Sequence, residues 1–352
     1  FDVIQRDFDK LSKKQLIDII AWFRFQSYAE AAGNASASHE REIEEDYKEE
    51  PWRFAYEFLQ NVDDCSYAED VQPHLVIEVN KSYNSISFQY NERGFEIDDI
   101  LALSSFGNSS KATDLDKFIP DNGLFDREKT GRKGRGFKSV FAIPGKDVVV
   151  HVVSNGFSFK YIKRLGVIIP VWEDVPDNFG NGTKVTVEGF QKNSIDKIYD
   201  KLVNILFSSN KETIFSKSPL LFLRHLRSIK LTDGIKAFSI DIRECKTQYS
   251  ETKFNPRDFL TVSGIRNKGN YHESMVSELE IVLNKSSRDK ETIRAIKMSF
   301  MKTICGKNRA ISLLTPIVTT GTAGMFRGGS LYRTLPLSDN KLAVPVAINA
   351  PY

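Results

Sequence analysis

The stretch Pro51 to Tyr67, PWRFAYEFLQNVDDCSY, carries three polar side chains at a telling spacing. Glu57, Asn61 and Asp64 stand at i, i+4 and i+7, so a helix puts them on one face. Phe54, Phe58, Leu59 and Val62 lie mostly round the other side, where a core would take them. A carboxylate one turn before a carboxamide, with a second carboxylate a turn later, is either a polar stripe facing water or a functional face. A later cluster bears on the choice. Gly131, Gly134 and Gly136 precede a helix expected to begin near Phe137. Glycines there let the backbone approach a ligand closely and take positive φ. The helix start that follows points unpaired N–H groups and a positive dipole end outward. Lys129, Arg132, Lys133, Arg135 and Lys138 add five cations in ten residues. Together these make an anion site, most simply for a polyphosphate. The other readings are a basic loop facing solvent and a nucleic-acid patch. No GK[ST] follows the second glycine, so this is not a Walker A loop.

The elements that must position these residues follow from local patterns. Residues 8–31 read as a helix, with Ser12 and Gln15 as a capping box and Leu16, Ile17, Ile19, Ile20, Trp22 and Phe23 as a broad apolar face. Residues 32–50 suit a loop and a solvated helix start, and Pro51 fits the first turn of the key helix. LVIEV (75–79) and SISFQY (85–90) flank NKSYN as a hairpin, and NERGF (91–95) is a turn. Residues 96–104 form a short helix. Residues 105–130 have no clear period and are long for a connection. Residues 148–153, 157–162, 167–172 and 184–190 are strands separated by Gly or Asn turns. Residues 191–230 read as helical, 288–304 as helix-forming, and 311–319 with 342–349 as a final strand pair. The order is α+β, not the alternating pattern of a dinucleotide-binding fold. A domain boundary is expected near 190–215.

Composition sets the broad class. The 352 residues suffice for two domains, and 41% apolar residues with 25 Phe can fill sizeable cores. A net charge of +3 is too small to imply a nucleic-acid partner. The three Cys form no CxxC pair, so neither a zinc site nor a disulfide framework is suggested, and reduced cytoplasmic thiols are expected. No apolar run reaches the ~18 residues of a membrane span, and no signal peptide is visible. The five His are scattered without paired spacing and read as surface or core residues. The chain starts at Phe1 and stops in an apolar run, so it is read as a piece of a longer protein.

EFLQNVDD (57–64), NERGF (91–95), SSFGNSSK (104–111), TGRKGRGFKSVF (130–141), SNGFSFKY (154–161) and NGTKV (181–185) stand in an order that resembles the GHKL ATPases. That family includes gyrase, the ninety-kilodalton heat-shock chaperones, histidine kinases and MutL. The sequence is most similar to its sacsin and NO VEIN-like branch, over about residues 50–190. The resemblance implies a Bergerat-type α/β sandwich, with helices on one face of a mostly antiparallel sheet. It implies an N-terminal helical extension (1–50), an ATP-binding domain (51–190) with a lid at about 105–130, and a second α/β transducer-like domain (191–352). It implies ATP and Mg²⁺ as cofactors.

Carried over by position, Glu57 matches the general base that activates the attacking water, and Asn61 the Mg²⁺ ligand. Asp64 matches an acidic position lining the nucleotide pocket. Gly94, with Phe95 beside it, matches the turn at the adenine. Gly131, Gly134, Gly136 and Phe137 match the phosphate-cradling loop, to which Lys133, Arg135 and Lys138 add charge. Ser109, Ser110 and Lys111 fall where lid residues near the phosphates are expected, and Thr183 matches the threonine that supports the adenine pocket through water. The family norm in the second motif is Asp followed by Gly-x-Gly. Here Asn91-Glu92-Arg93-Gly94 has no Asp, so Asn91 or Glu92 would accept the adenine amino hydrogen. In the second domain a basic residue is expected at the γ-phosphate, with Arg327 and Arg333, in a loop spanning 319–336, as candidates.

The leading expectation is an ATPase that works as a conformational switch, with ATP-dependent dimerisation or a partner subunit and chaperone-like remodelling of a protein client. A nucleic-acid-linked role, in DNA processing or anti-phage defence, and a nucleotide-binding scaffold with little turnover are the alternatives.

Overall fold

The computed structural model describes residues 10–30, 54–105, 137–143, 147–177, 179–191, 194–207, 223, 225–248, 274–287, 290–304, 310–316, 329–333, 335–342 and 347–349. The chain divides into two compact units. The first takes residues 1–118, 129–202 and 228–237, the second the remainder.

Helix α1 (Lys13–Glu30) opens the first unit. Its start is the expected capping box: Gln15 N–H donates to Ser12 Oγ over 3.2 Å, and Ser12 N–H donates to Gln15 Oε1 over 2.8 Å. Two of the N–H groups that a helix start leaves without intrahelical partners are thereby satisfied. Ile17 and Ile20 are buried, whereas Trp22 and Phe23 are each 58% exposed, so the aromatic half of the expected apolar face lies outside the core. Helix α2 (Phe54–Asp63) buries Phe54, Phe58, Leu59 and Val62, the four residues assigned to its core side.

Strands β1 (His74–Asn80) and β2 (Ser85–Tyr90) form the expected hairpin. Its turn is held by Asn80 Oδ1, which accepts from the Ser82 and Tyr83 amides at 3.1 Å each. Helix α3 (Ile97–Leu103) and a 3₁₀ helix (Phe137–Ala142) follow. Strands β3 (Val149–Ser154), β4 (Phe157–Ile162), β5 (Val171–Trp172) and β6 (Thr183–Glu188) come next, then helix α4 (Ser194–Phe207), which belongs to this unit as far as Leu202. Val167, Ile168 and Ile169, expected in a strand, precede the short β5 and are buried without being extended.

Strand β7 (Ser228–Thr232) completes the unit. The order is β7-β1-β2-β6-β3-β4-β5, an open sheet in which only the β7–β1 pair is parallel. The architecture is therefore α+β with a mostly antiparallel sheet. Alternation separates its faces: Val150, Val152, Val185 and Val187 are buried, while His151, Lys184, Thr186 and Glu188 between them are not. On the wetter face His151 joins Glu173 (Nδ1 to Oε2, 2.6 Å) and Glu188 (Nε2 to Oε1, 2.8 Å), tying β3 to β6 and to the chain after β5.

In the second unit the described residues from Phe238 on form strands. After β8 (Ala237–Gln248) come β9 (Ser274–Ser287), β10 (Lys290–Ile304), β11 (Ala310–Pro316), β12 (Gly329–Arg333), β13 (Leu335–Leu342) and β14 (Ala347–Asn349). The order from β13 to β9 is β13-β12-β14-β11-β10-β9. β11 overlaps and β14 falls within the expected final strand pair, and the two are antiparallel neighbours. Three local readings change. Residues 290–304 are strand, because Ile296, Met298 and Phe300 alternate with Lys297 and Ser299 and no helical period competes. Residues 223 and 225–227, in the stretch expected as helix, are irregular, and strand β7 begins at Ser228, where Ile229 and Leu231 take alternate, buried places. The loop expected at 319–336 contains strand β12. Among the described residues no helix is long and apolar enough to cross a membrane.

Candidate functional site

One row of paired residues crosses five strands of the first unit: Leu75, Tyr90, Thr183, Ser154 and Phe157 on β1, β2, β6, β3 and β4. All five are buried. Two aliphatic hydroxyls stand side by side in a row otherwise made of a leucine and two aromatic residues. Ser154 and Thr183, directly opposite each other, share a short hydrogen bond between Oγ and Oγ1.

The chain leaves β2 at Tyr90 and turns through Asn91 to Phe95 beside this row. Phe95 N–H donates to Ser154 Oγ over 2.8 Å, and Asn155 Nδ2 donates to Phe95 O over 3.2 Å. Gly94 takes φ +95°, and a Cβ there would lie 2.7 Å from Asn155 Cβ. Gly182 closes the other side at φ +99°, where a Cβ would meet Tyr90 O at 2.2 Å. Neither position accepts a side chain without displacing backbone. Arg93 N–H donates to Ser66 O over 3.0 Å, which brings the turn to the end of α2.

Glu92 lies in this corner, 8% exposed. Its Oε1 is buried and has no hydrogen-bond partner. Burial pushes the carboxyl above its ordinary range, while the neighbouring Cys65 and Thr183 side chains pull it back toward the charged form. Neither reaches Oε1 at hydrogen-bond distance. Tyr90 and Tyr67 are pushed up as well, chiefly by burial and further by the negative charge of Glu92 and its neighbours. An unsatisfied buried acceptor costs about 1–3 kcal/mol, and more when charged. A ligand carrying an N–H group would relieve that cost.

The two candidates in the 91–95 turn thus separate. Asn91 is engaged at both ends of its amide, Oδ1 accepting from His74 N–H at 2.8 Å and Nδ2 donating to Gln72 O at 2.9 Å. It pins the turn to the start of β1. Glu92 has the open oxygen.

Glu57 and Asn61 are half-buried on α2, and Asp64, just beyond the helix, is 5% exposed. Asn61 O accepts from Cys65 Sγ at 3.1 Å. Phe137 packs its ring against Phe58 of α2 and Tyr161 of β4, with centroids 5.9 Å away in both cases. Phe58 also stacks on Phe88 of β2 at 4.6 Å. This aromatic chain fixes α2, the sheet and the 3₁₀ helix to one another, at about 0.5–1.5 kcal/mol per pair beyond burial.

Lys138, expected among the cations of that segment, is instead 1% exposed, and its Nζ donates to the carbonyl of Ser105. Burial, with repulsion from Arg24 behind it, pushes its ammonium down to about 7. Ser109, Ser110, Lys111, Gly131, Lys133, Gly134, Arg135, Gly136 and Arg327 lie outside the described residues. Arg333 is on β12 in the second unit. The structure therefore brings together Glu92, Gly94, Phe95 and Thr183 beside the chain that follows α2. It adds Ser154 and Cys65, which the sequence motifs did not mark as site residues. The signal for Ser154 was available: strand alternation puts it on the same inward face as Val150 and Val152.

No family model matches the chain. Protein NO VEIN of Arabidopsis thaliana is 35% identical over 120 residues, which is 33% of this chain and 4% of that protein's length. The chain thus spans a small fraction of the relative it matches, and the likeness is distant and partial.

Proposed function

We propose that the first unit is a GHKL-type ATP-binding and ATP-hydrolysing module, part of a larger switch protein of NO VEIN-like kind. The observation that carries the reading is Glu92: a buried carboxylate oxygen with no partner, near the Thr183 hydroxyl, in a turn that two glycines let pack closely against neighbouring backbone. Such an acceptor suits an exocyclic amino group such as that of adenine. Three further features support it. Glu57 and Asn61 stand one turn apart on α2, and the chain after that helix meets the Glu92 turn at Cys65 and Ser66. Phe137 holds the end of the Gly-rich segment against the same helix. The partial similarity to Protein NO VEIN agrees with the branch that the motifs suggested.

In this reading adenine sits at Glu92 and Thr183, and the phosphates extend toward the Gly131–Gly136 segment. Asn61 supplies one neutral oxygen to Mg²⁺, which characteristically takes few protein ligands and completes its shell from phosphates and water. Glu57 accepts the proton of the water that attacks the γ-phosphate in line. Hydrolysis would reset a conformational state in the longer protein, most simply in remodelling a protein client.

The test is a pair of variants assayed by calorimetry and phosphate release. Glu57→Ala should keep ATP affinity and lose about 10²–10⁴-fold in turnover, the usual worth of a positioned base. Asn61→Ala should lose the Mg²⁺-dependent part of ATP binding. Full turnover by Glu57→Ala would remove that residue from its role, and no ATP binding by the wild-type chain would end the reading. Running the turnover assay with and without DNA separates remodelling from a nucleic-acid-linked activity.

A further inference from the structure

Glu92 is a buried acid whose two carboxyl oxygens stand in different surroundings. The Cys65 and Thr183 side chains hydrogen-bond the carboxyl and favour its charged form, yet Oε1 has no partner. Both bonds therefore fall on the other oxygen. The remaining neighbours do not make good the gap. Asp99 of α3 brings a second negative charge to bear. Tyr90 of β2 and Tyr67, after α2, are pushed above their ordinary range, first by burial and then by the groups around them, Glu92 and Cys65 among these. Both phenols are thus neutral. Asp63 adds to the negative surroundings of Tyr67.

A buried carboxylate with a bare oxygen and negative neighbours is favoured neutral over charged. Burial is the main push on Glu92 toward the protonated form, and Asp99 adds to it. A ligand N–H at Oε1 reverses the balance. It gives the carboxylate the bond it lacks, and a hydrogen bond to an ionised acceptor is about twice as strong as one between neutral groups. A carboxyl hydrogen on Oε1 and a ligand N–H would meet head on, so one of them must leave.

We propose that Glu92 couples nucleotide occupancy to proton release: the empty site holds a proton on this carboxyl, and a nucleotide that donates an N–H to Oε1 sends that proton to solvent. The inference rests on the nucleotide-binding reading above and adds a regulation of the same site. Its sign follows from the exchange. Where the empty carboxyl is protonated, the ligand must displace a proton, and affinity falls by up to about tenfold for each unit of pH lowered. Where the empty carboxyl is already ionised, nothing is displaced and affinity no longer depends on pH. Binding is therefore strongest on the alkaline side and weakens with acid.

The experiment is calorimetric titration of the whole chain with ATP in excess Mg²⁺, which keeps the triphosphate ionised. It runs from about pH 5.5 to about pH 8, in two buffers of different ionisation enthalpy at each pH, so that the heats count the protons released. Wild-type affinity should fall about tenfold from the upper end to the lower, with up to one proton released per nucleotide on the acid side. Glu92→Gln keeps the size and an acceptor oxygen but has no proton to give. It should bind with an affinity that changes less than about twofold over the same range and release no matching proton. If Glu92→Gln fails to fold by circular dichroism, the wild-type proton count decides alone, and zero release overturns the proposal. A wild type indifferent to pH, or a folded Glu92→Gln that responds as the wild type does, overturns the proposal while leaving ATP binding intact. A wild type that binds no ATP at any pH overturns the nucleotide reading itself and this inference with it.

Discussion

Lysine rarely enters a protein interior, and Lys138 does so with a backbone carbonyl as its acceptor and an arginine close by. Its ammonium is pushed down to about 7 from 10.5. Between those two values the unfolded chain binds a proton that the folded chain does not, so this residue makes folding more favourable as pH rises from about 7 to 10.5. Below about 7 it is charged in both states and the full burial penalty applies. Lys138→Met keeps length and removes the charge. The stability of the wild type relative to Lys138→Met should therefore climb across that range in urea unfolding, and a pH-independent difference would refute the assignment. This residue also marks a limit of sequence reading. In a run of basic residues after glycines, nothing local separates a cation that faces a ligand from one that faces the core. The choice between Asn91 and Glu92 was equally closed, because it turned on which side chain the start of β1 would engage. The helical spacing of Glu57 and Asn61 was legible because helical period alone determines it, whereas Asp64 falls just past the helix end.

At the scale of elements, legibility followed the strength of the local signal. The capping box at Ser12 and Gln15 and both hairpin turns were visible, since side-chain caps and Asn or Gly turns act over a few residues. Ser12→Ala should cost about 1 kcal/mol, the usual worth of such a cap. Urea unfolding should register it as a lower midpoint with an unchanged slope, and an unchanged midpoint would mean that the helix start is held by something else. The stretches 225–230 and 290–304 were misread as helix because Leu, Lys, Arg and Met tolerate helices well. Pairing with partner strands, which no local window contains, decided the outcome.

Across the whole chain, the non-local feature is β7, which reaches back to lie parallel to β1. A boundary drawn near 190–215 would leave that strand outside the first unit, yet Leu231 is fully buried within it. Leu231→Ala should destabilise the unit by about 2–5 kcal/mol, as deletion of a core leucine side chain does. Hydrogen exchange should then quicken in the β1 amides, and exchange confined to β7 would show that the two strands do not open together. Parallel pairs of this kind cannot come from a short turn, so they escape a reading that advances residue by residue.

The Asn155–Gly156 turn has a consequence for how this chain tolerates change. Both residues sit in left-handed backbone, φ 46° and 72°, the geometry of a tight two-residue hairpin link. With that link, β4 begins at Phe157 and Ser154 stays opposite Thr183. The turn is a ruler as well as a corner. One added residue there would leave the return strand out of step, sending Phe159 and Tyr161 toward water and Lys160 inward. Length variation among relatives should therefore collect at other turns and spare this one.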